Sequence, residues 1–266
     1  MNAGKLLALY DADERRDAVY FDTRREASPR IVRHVSLFGG RGAVIHWNLT
    51  GADVEAAIAE QIAYFESIGQ DFEWKVYAHD APEDLGTRLS ARGFEPEDEE
   101  SIVFLDASAL PERLSASAVD DVEHVSDPAG VDEIITMMES VWHEDLSDLR
   151  ASLRSQLGED PRHLGVYVRR VDAAPASAGW IRFRDGSHFA SLWGGTTVPA
   201  HRERGLYTSL VAARALEALG RDAGYLTVDA TPMSRPILEK LGFRVLTRAR
   251  GYIWKVAQRK PSRDGD

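Results

Sequence analysis

The sequence predicts an α+β protein made of two mixed-sheet halves. Helical periodicity and strand-type alternation succeed one another along the whole chain. A small, polar stretch at 107–120 interrupts that pattern once. Finally, Leu89-Ser-Ala-Arg-Gly-Phe94 returns as Leu238-Glu-Lys-Leu-Gly-Phe243, 149 residues later, each time after a helix, a strand and a short helix and before a β run. The same offset sets a helix near Ala52 opposite one near His201. The two predicted domains are 1–110 and 120–258.

In the first half, Ala18 to Phe21, Ile31 to Leu37 and Gly42 to Leu49 read as strands. An amphipathic helix follows from Ala52 to Ile68, then a strand from Phe72 to Tyr77, a helix from Glu83 to Ala91 and a closing strand from Ser101 to Leu105. The second half opens with helices at Val131 to Val141 and Leu146 to Leu157. Leu164 to Val171, Ala178 to Phe183 and Phe189 to Val198 read as strands, with Arg184-Asp-Gly-Ser187 as the turn between the last two. A helix from Glu203 to Leu219, a strand from Tyr225 to Ala230 and a short helix from Arg235 to Leu241 come next. A hairpin of Phe243 to Thr247 and Tyr252 to Val256 ends the domain.

Composition narrows the function. At 44% apolar and 28% charged the 266-residue chain is ordinary globular material. It has no cysteine, which removes thiol nucleophiles, disulfides and thiolate metal sites. Residues 1–120 hold 23 Asp and Glu against 12 Lys and Arg, the rest 20 against 20, so the net charge of −11 sits in the first half. That half repels nucleic acid and anionic membrane, while the second admits an anionic ligand at lower electrostatic cost. Met1 to Tyr10 does not read as a signal peptide, and no run is apolar enough to span a bilayer, so a cytoplasmic location is expected. His143-Glu144 begins like a zinc-protease helix, but position 147 is serine, so no metal is expected. Nucleophile-elbow, phosphate-loop and dinucleotide-fold motifs are missing from the sequence.

The chemically informative segment is Thr196-Thr-Val-Pro-Ala-His-Arg-Glu-Arg-Gly-Leu-Tyr207. A strand ends, Pro199 stops its ladder, and a basic turn opens a helix with Leu206, Leu210, Val211, Ala213 and Leu216 on its apolar face. Free amides and the dipole at a helix start attract an anion, and a glycine at 205 lets the main chain approach a phosphate closely. A plain strand-to-helix turn with solvated arginines accounts for the same residues equally well.

Here the chain resembles the GNAT acyltransferase superfamily. Arg202-Glu-Arg-Gly205-Leu-Tyr207 fits its acyl-coenzyme A signature except at the last position, where tyrosine replaces Gly or Ala. The resemblance runs over about residues 122–257, through the Tyr225 to Ala230 strand and the Leu238 to Phe243 motif, and makes the first half look like a degenerate second copy without the basic turn. It implies a C-terminal domain that binds acetyl-CoA, with the backbone of Thr196, Thr197 and Val198 along the pantetheine arm and the amides of Arg202, Glu203, Arg204, Gly205, Leu206, Tyr207 and Thr208 on the pyrophosphate. It also implies that Val198 N–H polarises the thioester carbonyl. The tyrosine that many members place before the Glu-Lys-Leu-Gly-Phe run is Leu238 here, and the asparagine expected earlier is Thr231.

Ser234, one turn before Leu238, is then a candidate for the leaving sulfur, and Tyr207 is the nearest phenol; helix capping and core packing are the competing roles. Glu139 is the candidate base, in a cluster with His143, Glu144 and Asp145 that also reads as a solvated loop. Trp180, Trp193 and Tyr252 are candidates to line an acceptor pocket and Trp142 to cover it, with core packing as the alternative; Trp74 and Trp254 read as packing. The expected activity is N-acyl transfer from acetyl-CoA to a small-molecule or protein amine by direct attack in a ternary complex. An acyl-CoA-binding sensor and a duplicated-fold interaction scaffold remain as alternatives, and edge strands leave room for a homodimer.

Overall fold

The computed structural model describes residues 2–117 and 119–256, so the final residues 257–258 of the second predicted domain lie outside it. The first half contributes α1 (Ala3–Tyr10), β1 (Thr23–Ala27), β2 (Ile31–Ser36), β3 (Gly42–Trp47), α2 (Val54–Ile68), β4 (Phe72–Tyr77), α3 (Leu85–Ala91) and β5 (Glu95–Asp106). After a short α4 (Glu112–Ser115), the second half contributes β6 (Val122–Val125), α5 (Pro128–Trp142), α6 (Ser147–Glu159), β7 (Leu164–Val171), β8 (Ala174–Arg182) and β9 (Phe189–Thr197). It ends with α7 (Leu206–Gly220), β10 (Tyr225–Ala230), α8 (Arg235–Lys240) and β11 (Arg244–Trp254).

All the strands join one sheet in the order β1-β2-β3-β4-β11-β5-β10-β9-β8-β7-β6. The two halves exchange their final strands: β11 runs antiparallel along β4, and β5 runs antiparallel along β10. β5 and β11 also pair with each other at the middle of the sheet. Side chains alternate between the two faces of a strand. Leu226 and Ala230 of β10 pack with α7, whereas Tyr225 packs with Leu6 and Tyr10 of α1, so α7 and α1 lie on opposite faces. Trp180 likewise packs with α5 and α6 while neighbouring Ile181 packs with α7. In the first half, α2 and α3 bury Val54, Ile58, Phe65, Leu85 and Leu89 against Phe72 and Trp74.

Several elements differ from the sequence reading. The residues of Ala18 to Phe21 are not a strand; the first strand is Thr23–Ala27, which pairs with β2. The predicted terminal hairpin is one unbroken strand, β11, because its partners β4 and β5 flank it on both sides. The strand predicted at Ser101 to Leu105 begins at Glu95, its acidic half lying against β11. The helix expected from Glu203 starts at Leu206. α1 and a single π-helical turn, Asp11–Arg16, were not anticipated; Leu6 and Tyr10 bury themselves against Tyr77 and Phe189.

Candidate functional site

In the second half, β9 and β10 are parallel neighbours for only three pairs, Phe189 to Ser191 against Tyr225 to Thr227, and then separate. The separation leaves one edge of each strand free of a ladder partner. The bulge in β9 opposite Ala178 and Trp180 contains Gly194 and Gly195. Trp180 fills the place where a Cβ on Gly194 would project, and the Tyr207 ring lies 2.6 Å from where a Cβ on Gly195 would stand. Both glycines are therefore close-approach positions.

Past the end of β9 the chain turns through Pro199–His201 and enters α7. Gly205 has φ +78°, a left-handed value that suits glycine, and a side chain built there meets nothing within 4 Å. No side chain caps α7, and its first turn has no intrahelical acceptors for the amides of Leu206, Tyr207 and Thr208. These N–H groups face a cleft of about 910 Å³, lined by residues of the β9 end, the α7 turn and α8 and by Trp142 from α5.

The cleft gathers Thr196, Thr197, Arg202, Glu203, Gly205, Leu206, Tyr207, Thr208 and Ser234. Arg204 is not on its wall; its guanidinium turns to His201 Nδ1 at 2.9 Å. Arg113 of α4 and Lys240 of α8 add cationic groups that no local sequence pattern marks, because the sheet topology alone brings them to the cleft. Met233 and Ile237, both exposed, give it an apolar side. Burial raises the Tyr207 phenol above its ordinary value, against the opposing pull of Arg214.

Two predicted catalytic roles need correction. Val198 N–H donates to Ala176 O at 2.9 Å, so it is spent in the β8 ladder. Peptide groups alternate along an antiparallel edge, which turns the Thr197 amide the other way, into the gap; Arg202 Nε donates to Thr197 O from that side at 3.3 Å. Glu139 is held by Arg150 Nη2 at 2.8 Å and accepts Leu146 N–H at 3.3 Å. It fixes the α5–α6 corner, its oxygens are turned to those partners, and it does not line the cleft. Ser234 sits at the N-cap position of α8 without capping it; its Oγ lies 3.2 Å from Thr231 Oγ1. Leu238 is fully buried, and Trp180, Trp74 and Leu210 are core residues. Trp142 and Trp193 are partly exposed, Trp193 with its Nε1 donating to Ser191 Oγ.

The first half repeats the strand divergence without the cleft. β3 and β4 run parallel for three pairs, Gly42 to Val44 against Phe72 to Trp74, and then part. Arg15 fills the opening. Its Nε donates to Ile45 O at 2.9 Å, its Nη2 pairs with Asp80 at 2.9 Å and its Nη1 with Asp11 at 2.6 Å, while the guanidinium lies over Tyr77.

No family model matches the chain, and no curated protein does. Solved structures do. A GCN5-related N-acetyltransferase from Kribbella flavida is 15% identical, with TM-score 0.63 over 87% of this chain and 89% of its own. A tandem GNAT protein from the clavulanic acid biosynthesis pathway is 14% identical, with TM-score 0.57 over 97% of this chain and 96% of its own. The chain has the GNAT fold. A functionally unknown conserved protein from Staphylococcus epidermidis is 11% identical, with TM-score 0.68 over 90% of this chain and 96% of its own. On this GNAT scaffold the parted strands and the uncapped α7 terminus occur together in the C-terminal half, and Arg15 occupies the corresponding opening of the other half. Among the described residues, no helix is long and apolar enough to cross a membrane.

Proposed function

We propose that the chain is an acyl-CoA-dependent N-acyltransferase that moves an acetyl group from acetyl-CoA to an amine. The uncapped α7 terminus behind Gly205, set at the mouth of the β9–β10 opening, carries this reading. The residues fit such a co-substrate. Helix-start amides suit a pyrophosphate, Arg113, Arg202 and Lys240 supply positive charge, and a cleft of about 910 Å³ lies near the top of the range for small-molecule sites.

Acetyl-CoA, when bound, supplies an acyl group activated as a thioester. Leu206, Tyr207 and Thr208 N–H groups hold the diphosphate, and the free edges of β9 and β10 receive the extended arm. Thr197 N–H, aimed into the opening, takes the part first expected of Val198 and donates to the acyl oxygen. A fixed donor of this kind can lower the barrier by about 3 kcal/mol. The amine attacks the acyl carbon as the carbon–sulfur bond breaks, so one proton passes from nitrogen to water and one arrives at sulfur. Ser234 and Thr231 hydroxyls can order a water that delivers the second proton. Buried Leu238 offers no phenol for that task, which favours slow turnover and keeps a sensor role as the second reading.

Calorimetric titration with acetyl-CoA tests the site, run beside Gly205→Glu. The wild type should bind in the micromolar range, and the variant, which remains folded, should not. Absence of wild-type binding overturns the transferase and sensor readings together. Release of free CoA with a panel of amines then separates them: steady release supports the transferase, and binding without release supports the sensor.

A further inference from the structure

The cleft runs on beyond the start of α7. Thr196 and Thr197 line it at the β9–β10 opening, and Ile237, Lys240 and Leu241 line its other end together with Arg113. Lys240 is the last residue of α8, about 8 Å along the helix axis from the first. Arg113 belongs to α4, in the linker between the two halves. Two contacts seat that linker at the end of α8. Leu114 is fully buried in the core that holds Val211, Leu238 and Leu241, and Pro111 Cγ lies 2.5 Å from where a Cβ on Gly242 would stand.

The cations of the cleft divide between its ends. Arg202 serves the opening, its Nε donating to Thr197 O at 3.3 Å. Arg113 and Lys240 are exposed at the other end and enter no ion pair among the described residues; Glu239, next to Lys240, is taken by Arg235 at 3.0 Å. The carboxylate on the lining is Glu203, which belongs to the turn before α7. With the extended arm in the opening and the diphosphate at the helix start, the nucleoside end of acetyl-CoA is left the α8 side of the cleft. That end carries a ribose 3′-phosphate, a monoester of about −1.5 to −2 charge at neutral pH. A guanidinium fork and a lysine ammonium are the groups that suit such a phosphate.

We propose that Arg113 and Lys240 bind the ribose 3′-phosphate of acetyl-CoA, so that the linker between the halves makes the site select CoA over dephospho-CoA. The assignment rests on the acyl-CoA reading above and adds to it a specificity residue from outside the C-terminal half.

The test is calorimetric titration of the full chain with acetyl-CoA and with acetyl-dephospho-CoA, which lacks only that phosphate. Acetyl-CoA should bind about tenfold more tightly, and the preference should shrink as ionic strength rises, because both cations are exposed. Arg113→Gln and Lys240→Gln should each weaken acetyl-CoA by about threefold and leave acetyl-dephospho-CoA within about twofold of the wild type. A merely structural role for Arg113 would weaken both ligands alike, and that result overturns the proposal. Equal wild-type affinity for the two ligands, or variants that bind acetyl-CoA like the wild type, overturns it as well while leaving the acyl-CoA reading in place. Absence of binding by either ligand overturns both.

Discussion

Arg15 stands where the C-terminal half keeps its cleft open, and it is 2% exposed. Arg15→Met should fill the space but strand Asp80 and Asp11 beside the Ile45 carbonyl, at a cost of about 3–5 kcal/mol. Denaturant unfolding should show a lower midpoint with little change in acetyl-CoA affinity. His34 gives the chain an acid sensitivity. Burial, and then Arg25, hold its pKa down at about 4, and its Nδ1 is engaged with Thr23 Oγ1 at 2.8 Å. The unfolded chain takes up that proton first, so stability falls as pH drops from about 6.5 to about 4, by up to about 3 kcal/mol. His163 acts in the opposite direction, since Asp185 and Asp160 outweigh its burial and raise it. Comparing His34→Gln with wild type across that window isolates the His34 contribution, and the variant should show a flatter acid limb. At this scale the tight turn into α7 was legible, because Gly205 stands directly before the apolar run of the helix. The role of Val198 was not: which amide faces the gap depends on a register set by the bulge opposite Ala178.

Among the elements, periodicity located most strands and helices of the second half, where buried alternation is strong. It failed at β5 and β11 for a shared reason. Glu95-Pro-Glu-Asp-Glu-Glu100 is too acidic to read as a strand, yet Arg248 and Arg250 of β11 lie opposite Ser101 and Glu99. Charge is balanced across the ladder and not along the chain. The same holds for Lys75, which reaches from β4 to Glu100 of β5 at 2.8 Å and Asp229 of β10 at 2.6 Å. Burial lowers its proton affinity, but Asp229 leads a set of acidic neighbours that raise it well above the ordinary value. Lys75→Met should therefore leave two carboxylates facing each other, and lower the melting temperature more at neutral pH than at pH values that protonate them.

For the whole molecule, the exchanged strands make each half's sheet depend on the other. β4 has six pairs with β11, and β10 has six with β5. Scanning calorimetry of the intact chain should show one transition, and residues 1–106 or 107–256 expressed alone should not give a cooperatively folded monomer. Two well-separated transitions would contradict this. The repeated Leu-x-x-x-Gly-Phe motif revealed that the halves correspond; nothing local in it revealed whose strand would lie beside whose.

The exchange also bears on how the chain is made. While a ribosome is still producing the second half, β4 exists with one edge bare, and its partner, ending at Trp254, has not yet emerged. Pairings this distant in sequence form slowly, and an unpaired edge invites a neighbouring nascent chain. The acidic run at 95–100 gives every copy the same negative charge in β5, and like charges oppose edge-to-edge pairing between copies.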